Sequence, residues 1–265
     1  MSRPQTPLRL HTESAAGFSD DRQLPIDSGD RQIADFRRTT LLWFGLILAV
    51  AIVPTTLTDV PLARWIDDYA WPSWVVRLLD ATRFYGTVGG LAVILLFLGF
   101  ILRRRRWTIP RIASMAAGGG AVATIAKLFV LRPRPNALPI DSSAYDYAWI
   151  WSFDPTLSRV ASFEPAMRAF PSATLAMATA LTAGLWVVVP RLRWVGLICC
   201  LGTMLHRLQC NAHFVSDLLG SAAIGLWWAY ICFHPKLMGG LFDRFEDVPA
   251  EPEDAPEQRR VRRAA

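Results

Sequence analysis

Charge is scarce in this chain. Only 19% of its 265 residues are Asp, Glu, Lys or Arg, while 52% are hydrophobic, which is too apolar for an ordinary soluble domain of this size. Cysteine is scarce too: Cys199, Cys200, Cys210 and Cys232 lie in or beside apolar runs, without disulfide or metal-ligand spacing. These shortages exclude a disordered chain and a small disulfide scaffold, and no repeat marks a collagen-like fibre. What charge there is leans basic, with 28 Lys and Arg against 22 Asp and Glu, a formal +6.

The apolar residues gather in long runs, and about 17 to 25 such residues let a helix cross a hydrocarbon layer of about 30 Å. Six runs qualify, over about 40–57, 86–102, 112–131, 172–189, 194–210 and 214–233. The expected fold is therefore all-α, a polytopic membrane bundle of about six transmembrane helices spanning 37–235. Polar, mixed-charge tails at 1–36 and 236–265 have too little apolar content to repay ordering and are expected to be disordered. Small residues in AAGGGAVATIA (116–126) and GSAAIG (220–225) would let helix backbones approach closely.

Basic residues near span ends mark cytoplasmic loops. Arg37 and Arg38, then Arg103 to Arg106 with Arg111, then Arg191 and Arg193 all fall on one side of a six-span alternation. Both tails are thereby expected in the cytoplasm, and the segments around 58–85, 132–171 and 207–213 on the outer face. The stretch 62–86, with Trp65, Trp71 and Trp74 among charges, suits an amphipathic helix at headgroup level or a plain connecting loop.

Ionisable groups at membrane depth are costly and usually functional. Lys127 sits near the outer end of the third run, followed by Arg132 and Arg134 in KLFVLRPRP. Arg207 and His213 bracket a short outer turn, and Asp217 follows His213 by four residues. On a helix, that spacing would put carboxylate and imidazole on one face, where the acid can hold one ring nitrogen and leave the other aimed at a substrate.

Three blocks, Lys127-x6-Arg134-Pro135, Phe170-Pro171-Ser172-Ala173-Thr174 and Arg207-x5-His213-x3-Asp217, resemble the signature of the type 2 phosphatidic acid phosphatase (PAP2) family, related to vanadium haloperoxidases. The resemblance covers about residues 85–233 and implies a PAP2/haloperoxidase-like helical core and phosphoryl transfer through a phosphohistidine. In that comparison Lys127, Arg134 and Arg207 clamp the phosphoryl oxygens and Ser172 adds a hydroxyl at a helix N-terminus. His213 is the nucleophile and Asp217 orients it. No cofactor and no metal is implied.

The second block departs from the family pattern Pro-Ser-Gly-His. Thr174 stands where the family has the histidine that protonates the leaving group, and losing a positioned acid typically costs about 10² to 10⁴ in rate. His206, where the family usually has serine, either packs between helices or substitutes as that acid. The expectation is an integral membrane phosphatase or phosphotransferase acting at the outer face on a lipid phosphate or diphosphate. Its partners would be the phosphorylated lipid and the bilayer, with no nucleic acid. Two alternatives remain open: an impaired relative that binds phosphorylated lipid, and a transporter or structural membrane protein.

Overall fold

The computed structural model describes residues 28–102, 106–138, 151–157 and 164–246. Arg103, Arg104, Arg105, most of the expected outer segment between 139 and 163, and the tail ends lie outside the described residues. The chain forms helices α1 (Ser28–Asp68), α2 (Ser73–Arg83), α3 (Val88–Ile101), α4 (Ile109–Phe129), α5 (Ala173–Val188), α6 (Arg193–Gln209), α7 (Val215–Phe233) and α8 (Gly240–Glu246).

At the centre stands α5, whose residues from Leu175 to Leu185 are all buried. It packs against α4, α6 and α7; α1 lies along α7, α2 along α6 and α3 along α4. A helix enclosed on all sides reads apolar all round, as ATLAMATALTAGLWVV does. Glycine sets the closest approaches. A methyl group added at Gly225 of α7 would lie 2.6 Å from the Ala176 carbonyl oxygen and 3.0 Å from the Thr179 Cβ on α5. One at Gly119 of α4 would lie 3.0 Å from the Ala180 Cβ. The small-residue stretches thus serve backbone-to-backbone packing, as the sequence implied.

All six apolar runs are helical. Among the described residues three helices are long and apolar enough to cross a membrane alone: Arg38–Asp68 within α1, Arg106–Phe129 and α7. The segments Ser73–Gly86 and Val88–Ile101 pass only as a pair bent by 73°, and α5 is a shorter apolar helix. With 14, 16 and 17 residues, α3, α5 and α6 are about 21, 24 and 26 Å long at 1.5 Å per residue, each short of a full hydrocarbon layer. By length and composition the structure thus carries three full crossings, or four with the bent pair.

Element boundaries differ from expectation in three places. Helix α1 runs 41 residues through Pro54 and Pro61 to Asp68, so the expected 62–86 unit is divided between the end of α1 and α2. Helicity begins at Ser28, inside the expected disordered tail. At the other end α8 lies in the expected 236–265 tail and is docked, because Phe242 is buried and Arg111 Nη2 donates to Asp243 Oδ1 at 2.5 Å. Phe233 and Phe242 flank that guanidinium at 5.6 and 5.5 Å, which the composition of the tail did not disclose.

Between α4 and α5 the chain makes a two-strand ladder, β1 (Val130–Leu131) antiparallel to β2 (Ser152–Phe153), with Val130 opposite Phe153 and Leu131 opposite Ser152. The extension continues: Arg132 N–H donates to the Met167 carbonyl at 2.9 Å, and Ala169 N–H to the Arg132 carbonyl at 2.8 Å. This threads KLFVLRPRP and the approach to Pro171 side by side at one end of the bundle.

The α5–α7 contact allows a direct check. Gly225→Val should destabilise the protein by about 1–3 kcal/mol through overpacking. The expected readout is a lowered thermal midpoint in detergent relative to Gly225→Ala, whose single methyl is the smaller intrusion.

Candidate active site

Each candidate side chain stands at a helix end, and local sequence explains why. Lys127 lies in the last turn of α4, whose terminal carbonyls of Lys127 and Leu128 both accept from Arg168 Nη1 at 2.8 Å. An arginine brought to a helix C-terminus satisfies orphan carbonyls and suits the negative end of the dipole. Ser172 is the residue before α5. Its backbone N–H donates to Ser221 Oγ at 2.6 Å, and Ser221 in turn donates to the Asp217 carbonyl at 2.5 Å, so α7 fixes the start of α5. The Ser172 hydroxyl is buried without a hydrogen-bond partner at the N-terminus of a helix, where free N–H groups favour an anion.

Arg207 occupies the last turn of α6, which stops because Asn211 takes a left-handed conformation at φ 47°. Asn211 N–H bonds to the Leu208 carbonyl at 2.9 Å and Ala212 N–H to that of Arg207 at 3.1 Å, the ordinary closure of a helix C-terminus. Asp67 of α1 holds the Asn211 side-chain amide at 3.0 Å. This stop sets the Arg207-x5-His213 spacing and puts His213 in the turn before α7.

His213 is therefore not helical, and the premise of the i, i+4 argument for Asp217 does not hold. Asp217 instead turns away: Oδ1 accepts from Arg132 Nη1 at 2.5 Å, and Oδ2 accepts the Phe214 N–H at 2.9 Å in a capping arrangement. Asp217 thus acts on the backbone beside His213, while the His213 Nδ1 is buried without a partner.

The cations come together. Lys127 has Arg134, Arg207, Arg168 and Asp217 as electrostatic neighbours, and His213 has Lys127, Arg207 and Arg134. Burial first, and those three cations next, hold the His213 imidazole well below its ordinary 6.5, with the Ala169 carbonyl opposing. Among the described residues no carboxylate pairs with Lys127, Arg134 or Arg207, and the Nε atoms of both arginines are buried without partners. Three cations, an orphan hydroxyl and a helix N-terminus around one neutral imidazole make a cradle for a tetrahedral anion.

Thr174 belongs to this cradle. Its hydroxyl accepts from Arg207 Nη2 at 2.7 Å, so the residue in the degenerate position restrains the Arg207 guanidinium. His206 points elsewhere although it adjoins Arg207 in sequence: its Nε2 lies 3.0 Å from Asp80 Oδ1 on α2. Adjacent helical residues diverge by about 100°. The packing role is the one its contacts display.

Sequence reasoning missed Asp59, Arg132, Arg168, Ser216 and Ser221. A signal existed for the first, an acid in the apolar stretch TTLTDVPLA, but the first span was ended at residue 57. Arg132 was visible two residues before Arg134 with nothing to tell the structural arginine from the one facing the site.

Residues 107–237 match the PAP2 superfamily. No curated protein matches the chain. Among solved structures it is similar to a transmembrane PAP2-type phosphatidylglycerolphosphate phosphatase from Bacillus subtilis, at 17% identity and a TM-score of 0.51, over 80% of this chain and 99% of that one.

The depressed imidazole has a measurable consequence. Unfolded, His213 takes a proton as pH falls through about 6.5; folded, it takes one only at lower pH, so stability drops as pH falls below 6.5. Between pH 7.5 and 5, the thermal midpoint of the wild type should fall more steeply than that of His213→Gln.

Proposed function

We propose, from the premise that residues 107–237 form a PAP2-superfamily region, that the protein is an integral membrane phosphatase of a phosphorylated lipid, working through a phosphohistidine at its outer face. The observation that carries this reading is the cluster of Lys127, Arg134 and Arg207, which among the described residues make no ion pair with a carboxylate, around the buried, neutral His213. The apolar helices support the membrane setting, and the similar fold is that of an enzyme named for a lipid phosphate. The arginine-rich Arg106–Arg111 and Arg191–Arg193 turnarounds support a cytoplasmic end opposite the site.

In this mechanism the phosphoryl oxygens sit among Lys127, Arg134, Arg207, the Ser172 hydroxyl and the first N–H groups of α5. A neutral imidazole nitrogen of His213 attacks phosphorus, the bond to the leaving oxygen breaks, and its electron pair departs with that oxygen. Water then attacks the phosphohistidine, releasing phosphate and restoring the imidazole. The clamp cations stabilise charge that develops on the equatorial oxygens.

Position 174 bears on substrate. A general acid matters most when the leaving group is an alkoxide, whose conjugate acid has a pKa well above neutral, and least when it is a phosphate that leaves as a stable anion. A threonine hydroxyl is no acid at neutral pH. The favoured substrate is accordingly a diphosphate-linked lipid such as a polyprenyl diphosphate, ahead of a phosphatidate-type monoester. One observation favours a second reading, an impaired relative that binds phosphorylated lipid: Thr174 is committed to Arg207, which keeps the anion clamp intact without supplying a proton.

Phosphate release by purified protein in detergent, without added metal, separates the two readings. Activity on the diphosphate that His213→Ala abolishes supports the enzyme; anion binding with no turnover supports the second reading. Thr174→His should raise monoester turnover by up to roughly 10² to 10⁴. If His206→Ala abolishes activity and Thr174→His does not alter it, the proton comes from residue 206 and the diphosphate preference fails.

A further inference from the structure

Asp59 lies on α1, outside the 107–237 region, yet it is only 2% exposed. Its Oδ2 accepts from Arg132 Nη2 at 2.7 Å and from the Ser216 hydroxyl, and its Oδ1 accepts the Ser216 N–H at 3.1 Å. Asp59 thereby caps the first turn of α7 from another helix. Through Ser216 and Arg132 it is coupled to Asp217, since Arg132 Nη1 donates both to Ser216 Oγ at 2.7 Å and to Asp217 Oδ1 at 2.5 Å. The rings of Trp151 and Phe214 each lie 4.5 Å from the Arg132 guanidinium carbon, so it has no room to swing.

The chain of contacts ends at the nucleophile. Asp217 Oδ2 holds the Phe214 N–H, one residue beyond His213. Asp59 and His213 also line one small cavity between α1 and the turn before α7. Nothing in α1 beyond Asp59 reaches Arg132 in this way among the contacts described. Two carboxylates share one guanidinium, so the cluster can lose the Asp59 charge and keep a balanced Arg132–Asp217 pair. Asparagine at 59 would keep one oxygen for Arg132 Nη2 and the Ser216 hydroxyl, while its NH2 would face the Ser216 N–H and lose that cap bond, so the charge and one acceptor go together.

We propose that Asp59 is a positioning residue for His213, acting through Arg132 and Asp217, so that α1 is part of the catalytic apparatus. The proposal rests on the reading of His213 as the residue that takes the phosphoryl group. It separates two roles around the anion: Lys127, Arg134 and Arg207 bind it, while the Asp59 cluster places the nucleophile against it. Losing Asp59 should then slow the chemical step and leave anion binding alone.

The test uses the full chain in detergent with a polyprenyl diphosphate as substrate and inorganic phosphate as competing anion. Asp59→Asn should lower kcat about 10- to 100-fold, as loss of an outer orienting partner does elsewhere. KM and the inhibition constant for phosphate should stay within about twofold. Ser216→Ala, which keeps every charge, should show the same split to a smaller degree, and it carries the test alone if Asp59→Asn does not fold. An unchanged kcat in folded variants overturns the proposal. So does a joint loss of kcat, phosphate affinity and thermal midpoint, because that is the signature of a structural role alone. His213→Ala is measured alongside: retained turnover there removes the underlying reading, whereas an inactive His213→Ala beside a fully active Asp59→Asn refutes the role of Asp59 only.

Discussion

A guanidinium with no exposed surface organises one end of this bundle. Arg132 lies between Asp59 of α1 and Asp217 of α7, with the Trp151 and Phe214 rings each 4.5 Å from its central carbon and its backbone tied to the segment approaching α5. Burying such a charge costs several kcal/mol unless geometry and hydrogen bonding are both good. Here both acids, a serine hydroxyl and two rings are supplied by three separate parts of the chain: Asp59, Trp151 and the Phe214 to Asp217 segment. Removing the arginine would leave two carboxylates buried together, so the ends of α1 and α7 and the Lys127 to Arg134 segment are held to one arrangement.

That arrangement also divides the charges by sign. The acids nearest the site, Asp59 and Asp217, are consumed by Arg132, and Asp67 by the Asn211 amide. Among the described residues Lys127, Arg134 and Arg207 make no ion pair with a carboxylate, and all three act on His213. Buried or half-buried cations that lack acids stay compact only if an anion or water compensates them. The anion affinity proposed for this cradle would thus follow from where the acids have gone as much as from where the cations are. Burial first, and the same cations next, keep the imidazole neutral, which is the state a nucleophile needs.

Much of this was legible beforehand. Six apolar runs located six helices, and the small-residue stretches located the close contacts of α4, α5 and α7, because both signals are local and continuous in sequence. The three motif blocks located Lys127, Arg134, Ser172, Thr174, Arg207 and His213 at one end of the bundle. What was not legible depended on where helices stop. The four-residue spacing of His213 and Asp217 implied a shared helical face, but the left-handed turn at Asn211 put His213 before the helix. Likewise the first apolar run ends near residue 57 in sequence, while helix α1 continues to Asp68 and carries Asp59 with it. The docking of α8 rests on a contact with Arg111 over 130 residues away in sequence, and no local pattern reports such a partner.

Position 174 shows how a site can lose one chemical function and keep another. A histidine there would have offered a proton; the threonine offers an oxygen, and Arg207 uses it. Had the position become alanine or valine, Arg207 Nη2 would have lost the acceptor that the threonine provides, and the guanidinium would have had one fewer restraint. The hydroxyl is thus the kind of replacement that preserves a preorganised cation while giving up acid catalysis. The surroundings leave little freedom for it to do otherwise: a methyl group added at Gly86 would lie 2.7 Å from the Thr174 Cγ2 and 2.5 Å from its carbonyl oxygen, so the turn before α3 packs directly on this residue. On the proposed enzymatic reading, the demand on the leaving group then passes from the protein to the substrate, which must depart without a proton from residue 174.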